Sequence, residues 1–280
     1  MPDLTRVRLG DREDLGADCG SCLGLCCVAL AFTRSADFPR EKAVGEPCEH
    51  LEGERGCDIH GRLRESGYKG CTVFDCFGAG QKVSQQLYAG RSWRADQAFG
   101  TEMFAVFSVV RRLHELLWYL DQALELPGDA VPRAELAAQF ETVRALTLGG
   151  PDEILAHDVD GSYDAARPLL LAASAVARRS EPARRGHRPG PGSDLVGADL
   201  SGQDLSGLDL RGALLIAADL SGCDLTWTDV LGTDLRDADL SGARLEHAIY
   251  LTQMQVSSAR GDAATLLPAG FERPGHWTVG

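Results

Sequence analysis

What the chain lacks narrows its function first. No apolar run approaches the ~18 residues of a membrane span; the longest lie near 103–110 and 168–177, so no membrane partner is expected. The opening stretch MPDLTRVRLGDREDLG is charged, so no secretory signal is read there. A cytoplasmic location, where thiols stay reduced, follows as the expectation. Basic charge is scarce: 28 Lys and Arg stand against 41 Asp and Glu, a net charge of −13. That balance argues against direct nucleic-acid binding. Catalytic signatures are missing as well. His114–Trp118 reads HELLW, with Trp118 where a zinc protease needs its second histidine. The Gly-Ala-Gly at 78–80 lacks the third glycine of a dinucleotide fingerprint. No phosphate-cradling Gly-rich loop and no nucleophile elbow occurs. No catalytic residue is assigned, and a non-catalytic role is the first expectation.

Two patterns fill the chain instead. From Ser193 it runs through twelve pentapeptides in register, the last beginning at Ala248. Their third residue is Leu at 195, 200, 205, 210, 215, 220, 225, 235, 240 and 245, Val at 230 and Tyr at 250. Their first residue is mostly small, as at Ala198, Ala213, Cys223 and Thr228. Neither a helix period of 3.6 nor a strand period of 2 produces a period of five. A chain that turns a corner every five residues does, with the first and third residues inward and the others outward. Cys223 then falls on an inward slot and reads as packing, not as a ligand. Asp holds the second slot in nine of the twelve pentads. Residues 193–250 hold ten Asp and one Glu against three Arg, a net −8. A like-charged run is usually a solvated face.

The second pattern is cysteine. Eight of the nine lie between 19 and 76: Cys19, Cys22, Cys26, Cys27, Cys48, Cys57, Cys71 and Cys76. In a reducing compartment this density points to metal rather than disulfides, and all eight are candidate ligands. If CGSCLGLCC is helical, Cys19, Cys22 and Cys26 share a face; Gly20 and Gly24 weaken a helix there, and a turn-based knuckle would also present Cys19 and Cys22 together. Adjacent Cys26 and Cys27 are expected to point apart. Thiolate-rich sites suit zinc and iron–sulfur clusters alike. Eight cysteines supply two closed four-ligand sites, one four-iron cluster with packing cysteines, or a site that recruits His50 or His60. Metal would supply much of the folding free energy of so small a region, with Tyr68, Phe74 and Phe77 packed around it.

Between the two patterns, apolar periodicity predicts a helix from Thr101 to about Leu126, ended by Pro127-Gly128, and another from Pro132 to Leu148. A turn at 151–157 and a helix over about 162–179 follow. The stretch RRSEPARRGHRPGPG, 178–192, has no apolar period and reads as a Pro/Gly/Arg linker.

The pentads resemble the pentapeptide-repeat family, whose A(D/N)LXX pattern implies a right-handed quadrilateral β-helix. Twelve pentads imply about three coils, stacked ~4.8 Å apart. The segment after Tyr250, ending in RPGHW, is similar to the tails of bacterial members and implies a C-terminal helical cap, with Trp277 over the last coil. The CxxCxxxCC block, followed by Cys57, Ile59, His60, Cys71 and Cys76, resembles the YkgJ-type zinc- or iron-chelating domain over about residues 15–85. Its first block is one residue longer than that family's CxxCxxCC, which leaves Cys26 and Cys27 as alternative ligands. These resemblances imply a multi-domain α+β chain. Its parts are a Cys-rich metal-binding head (1–94), a helical bundle packed on it (95–180), the linker (181–192), the β-helix (193–250) and the cap (251–280). The expected role is a metal-binding protein whose β-helix is an interaction scaffold for a protein partner, with a homodimer as a further arrangement. An iron–sulfur redox or modifying enzyme is the alternative, and a DNA-mimicking, topoisomerase-protecting rod the second alternative.

Overall fold

The computed structural model describes residues 15–179 and 189–277. The chain divides into two compact units: Met1–Leu120 with Ala137–Ala166, and Asp121–Leu136 with Arg167–Gly280. Residues 181–188 of the expected linker lie outside the described residues.

The first unit begins with short elements. A 3-10 turn, Cys19–Ser21, is followed by α1, Leu25–Ala29. CGSCLGLCC is therefore not one continuous helix, and Cys19 and Cys22 are presented by a turn. Gly24 stands between the two at φ +64°, and a Cβ there would lie 2.6 Å from Leu51 Cδ1 and 3.2 Å from the Glu54 carbonyl oxygen. Only glycine accommodates both constraints. Two isolated antiparallel bridges, Phe32↔Lys42 and Leu51↔Cys57, tie the following loops. Next come α2, Lys69–Thr72, and α3, Ala79–Gln81, which widens into a π-helical stretch, Lys82–Leu87.

The longest helix is α4, Gln97–Glu125. It starts four residues ahead of Thr101 because Asp96 Oδ1 accepts the backbone N–H groups of Ala98 (2.8 Å) and Phe99 (3.1 Å). Its apolar stripe buries Met103, Val106, Phe107, Val110, Leu113, Leu116, Leu117 and Leu120. Then follow α5, Arg133–Leu146, α6, Pro151–Ala156, and α7, Val159–Arg178. Pro151 opens α6 where an N–H would have no partner, and the Glu153 carboxylate accepts the Gly150 N–H at 3.1 Å.

The second unit holds the repeats, and here the expected α+β class and the right-handed quadrilateral β-helix of about three coils are corrected. Among the described residues no strand forms and no sheet exists; the repeat region consists of turns joined by isolated parallel bridges, in an otherwise mostly helical chain. The reason is the period itself. A corner every five residues leaves one residue per pentad free to bridge, too few for a strand ladder. Each early bridge joins residues twenty apart, four pentads: Asp194↔Leu214, Asp199↔Asp219, Asp204↔Asp224, Asp209↔Asp229.

Within that register the pentad chemistry is uniform. The Leu residues at 205, 210, 215, 220, 235, 240 and 245 are buried together with Ala213, Ala218, Ala238 and Ala243. Polar residues in the small slot are satisfied by the pentads before them. Cys223 Sγ donates to the Leu200 carbonyl (2.9 Å), Thr228 Oγ1 to that of Leu205 (2.8 Å) and Thr233 Oγ1 to that of Leu210 (2.8 Å). The second-slot Asp side chains cap the turns. Asp199 Oδ1 accepts the Ser201 N–H (3.1 Å), and Asp219, Asp224, Asp229 and Asp239 do likewise two residues on. The fifth slot is left-handed, which is why Gly recurs there; Ala217 (φ +54°), Trp227 (+54°) and Asp237 (+57°) are held in the same conformation. Trp227 stacks on His247, twenty residues later, at 4.9 Å.

One face of the repeats meets α7. Asp229 is fully buried; its carboxylate accepts the Ser174 hydroxyl and lies 3.6 Å from Arg211 Nε. Arg178 reaches Asp209 at 3.3 Å, and the Tyr250 hydroxyl donates to the Leu170 carbonyl at 2.8 Å. After the repeats, α8, Gln253–Ser258, starts with a reciprocal cap between Thr252 and Gln255. Trp277 is buried against the repeat core, lies over Gly261, and donates its indole N–H to the Ala259 carbonyl at 3.0 Å.

Candidate functional site

All eight cysteines between 19 and 76 line one cavity of about 290 Å³ in the first unit. The turn at 19–21 supplies Cys19, with Cys22 just after it. Cys26 and Cys27 come from α1, Cys48 and Cys57 from the loops around the Leu51↔Cys57 bridge, Cys71 from α2, and Cys76 from the turn before α3. The rest of the lining is mainly apolar: Leu30, Phe32, Phe38, Ile59, Leu63, Tyr68 and Phe74. Phe32 and Phe38 stack at 4.3 Å, with Tyr68 edge-on to both. His50 and His60 also reach the cavity, whereas no Asp or Glu does. His50 Nδ1 is 2.9 Å from the Asp58 carboxylate.

Two expectations change. Cys26 and Cys27 do not point apart; their sulfurs lie 3.9 Å from each other. Phe77 does not line the cavity: it is fully buried, its ring 5.8 Å from that of Trp118. Its left-handed backbone (φ +48°) and its N–H bond to Asp75 Oδ1 (2.7 Å) turn it into the helical core.

The electrostatics follow from burial. Desolvation, reinforced by the neighbouring thiols, pushes Cys19 and Cys71 up to about 12 and Cys22 up to about 11. Cys26 is raised first by its contact with Cys27 and then by burial, and Cys76 is raised by burial. These thiols hold their protons at neutral pH, so a cation that recruits them must displace protons. The donor set, sulfur-rich and free of carboxylates, has the chemistry of a thiophilic metal rather than of calcium or magnesium. Among the described residues, however, no three His, Cys, Asp or Glu side chains already converge on a point where a metal ion would sit.

Three supporting residues escaped the cysteine spacing. Ser84, in the π-helical stretch, accepts the Leu23 N–H (2.9 Å) and directs its hydroxyl to Cys22 Sγ (3.9 Å). Gly80 brings that stretch against Cys22: a Cβ there would lie 2.8 Å from the sulfur. Of the two glycines in the Gly-Ala-Gly that fails as a nucleotide fingerprint, Gly80 thus serves close packing and Gly78 a left-handed turn (φ +79°). Lys42, 2% exposed, donates to the carbonyls of Val28 (3.2 Å), Ala43 (3.0 Å) and Glu46 (2.7 Å). No motif marks it.

Inward leucines, capped turns and bridges twenty residues apart define a pentapeptide-repeat protein, and residues 193–230 match the family model for pentapeptide repeats in eight copies. Over 267 residues the chain is 49% identical to the protein YybG of Bacillus subtilis (strain 168), covering 94% of this chain and 95% of that one, and it belongs to that family. Among solved structures it is similar to HetL, a pentapeptide repeat protein involved in heterocyst differentiation regulation from the cyanobacterium Nostoc sp. strain PCC 7120. The identity is 29%, over 29% of this chain and 36% of that chain, with a TM-score of 0.15. Among the described residues, no helix is long and apolar enough to cross a membrane.

Proposed function

We propose that this is a non-catalytic metal-binding protein that presents its pentapeptide repeats to a protein partner. The observation that carries the metal reading is the gathering of all eight cysteines between 19 and 76 around one cavity with no carboxylate in its lining. The resemblance of the CxxCxxxCC block and the later cysteines to YkgJ-type chelating domains supports it. Zinc or an iron–sulfur cluster is the fitting occupant. Cys19, Cys22, Cys26, Cys27, Cys48, Cys57, Cys71 and Cys76 are the ligand pool, and ligation would draw a subset of them inward. Such a centre would fix the fold of the region or report metal supply or redox state. The scaffold reading rests on the outward slots of the repeats. Their Asp side chains cap the turns beneath them, which gives the acidic run a structural purpose and leaves the variable fourth slot to meet a partner.

Metal analysis with an absorbance spectrum, on protein purified without oxygen, tests the first part. Stoichiometric zinc in colourless protein, or iron and sulfide with absorbance near ~400 nm, is the expected result. Protein that holds neither zinc nor iron, as isolated or after reconstitution, rejects it.

A further inference from the structure

Lys42 sits in a setting that packing alone does not explain. Its ammonium is buried, and all three donor directions end on neutral backbone carbonyls. Among the described residues no carboxylate pairs with it: Glu46, whose main chain accepts one of the three bonds, turns its side chain to Arg40 (3.4 Å) and to the Ala43 N–H (3.1 Å). A buried charge without a counter-charge is costly. The Lys42 Nζ lies 5.7 Å from the ring centroid of Phe32, a side chain that lines the cysteine cavity.

The surrounding backbone holds it in that place. The Lys42 N–H donates to the Phe32 carbonyl at 2.9 Å and the Phe32 N–H returns the bond at 3.1 Å. Val28, in α1 just after Cys26 and Cys27, offers its carbonyl both to Lys42 Nζ and to the Gly45 N–H (2.9 Å). The Cys48 N–H donates to the Cys27 carbonyl at 2.9 Å. The loop from 42 to 48 is thereby stitched along the helix that carries the cysteine pair, with the ammonium on the same stitch.

We propose that Lys42 is the built-in counter-ion of the cysteine cavity, its fixed positive charge offsetting the negative charge that thiolate ligation brings to Cys26, Cys27 and Cys48. A divalent ion held by four thiolates is formally anionic, and a cation in a low-dielectric setting stabilises it far more than one in water. Lys42 is a positioning residue: it touches the carbonyls, not the metal. The inference rests on the metal-binding reading above.

The test uses the full chain, reduced and anaerobic, titrated with cobalt(II) as a coloured substitute for zinc. Lys42→Gln removes the charge and keeps donors for the carbonyls; Lys42→Arg keeps the charge. Competition against a chromophoric chelator gives affinity, and the sulfur-to-cobalt charge-transfer band reports the electron richness of the thiolates. Lys42→Gln should bind about tenfold or more weakly, with the band at lower energy, and Lys42→Arg should return the band toward its wild-type position. If Lys42→Gln does not fold by circular dichroism, Lys42→Met gives the same comparison. Unchanged affinity and band in the neutral variant overturn the inference while leaving the metal centre standing. So does a weaker affinity with an unmoved band that Arg fails to rescue, the behaviour of a merely structural pin. A wild-type chain that takes up no cobalt, zinc or iron defeats the metal reading itself, and the inference with it.

Discussion

Cys223 and the eight cysteines of the first unit are the same side chain under opposite conditions. Cys223 fills the inward slot of a pentad, with no exposed surface, and its sulfur bonds the Leu200 carbonyl as the threonines at 228 and 233 bond theirs. It is interchangeable with its neighbours in the register. The other eight are not interchangeable with anything. They arrive from turns, loops and two short helices at a cavity where little else is polar. Periodicity gives a residue its meaning in one region; convergence gives it in the other. A cysteine with a carbonyl to bond and no space beside it is packing. Cysteines that share an unfilled space are candidates for chemistry.

The contrast can be broken most severely at the cavity. Replacing Cys19 and Cys22 together by Ser should abolish metal retention and destabilise the first unit by several kcal/mol, the scale of a structural metal site. Metal analysis and hydrogen exchange would read both losses, with protection of the repeat amides unchanged. Uniform loss of protection along the chain would show that the two regions do not depend on different forces. Next in size is the repeat core. Leu220→Ala empties a fully buried slot and should cost about 3 kcal/mol in denaturant unfolding, with metal content intact.

A smaller effect probes Asp229. Burial pushes its carboxyl up to about 6 despite the Ser174 hydroxyl and Arg211. The folded chain therefore binds this proton more tightly than the unfolded one. The stability this contributes is complete below the ordinary value near 3.8 and is lost as pH rises through about 6. Asp229→Asn keeps an acceptor for the Leu231 N–H and cannot ionise. Its stability relative to wild type should rise between pH 4 and pH 7 by on the order of 2 kcal/mol. Parallel pH profiles for the two proteins would show that burial does not raise the Asp229 carboxyl. The smallest expected change is a gain. Ala217→Gly relieves a left-handed alanine (φ +54°) in the slot that Gly occupies elsewhere and should stabilise by about 1 kcal/mol. A fall in melting temperature would mean that the alanine side chain contributes more than its backbone costs.

How much could be read from the residues differs between the same two regions. The inward leucines, the small slot and the structural role of Cys223 were legible because every pentad repeats one environment. Strands were expected there and did not form, since the period that makes the pattern visible also limits each pentad to one bridging residue. The long helix was legible from its apolar stripe, but its start was not: Asp96, five residues before Thr101, captures two N–H groups. Around the cavity, the cysteines advertised themselves by number. Ser84 and Gly80 did not, because each acts on Cys22 across about sixty residues of chain. Lys42 looks in sequence like any surface lysine, and only the three carbonyls that surround its ammonium distinguish it.

The bridging register has a consequence for how such a gene can change length. From the fifth on, each pentad is bridged to the one four before it. Removing one pentad upstream of residue 229 would keep every leucine inward, yet would re-pair everything after it. Asp234 would then stand where Asp229 meets Ser174, and the partners of Arg178 and Arg211 would change with it. Losing four at once restores the pairing. The repeat tract can therefore drift in five-residue steps without exposing its core, but the surfaces it shows survive only in steps of twenty. Lineages that keep a partner should differ by sixty bases of coding sequence in this tract, and those that differ by fifteen should have renegotiated what they bind.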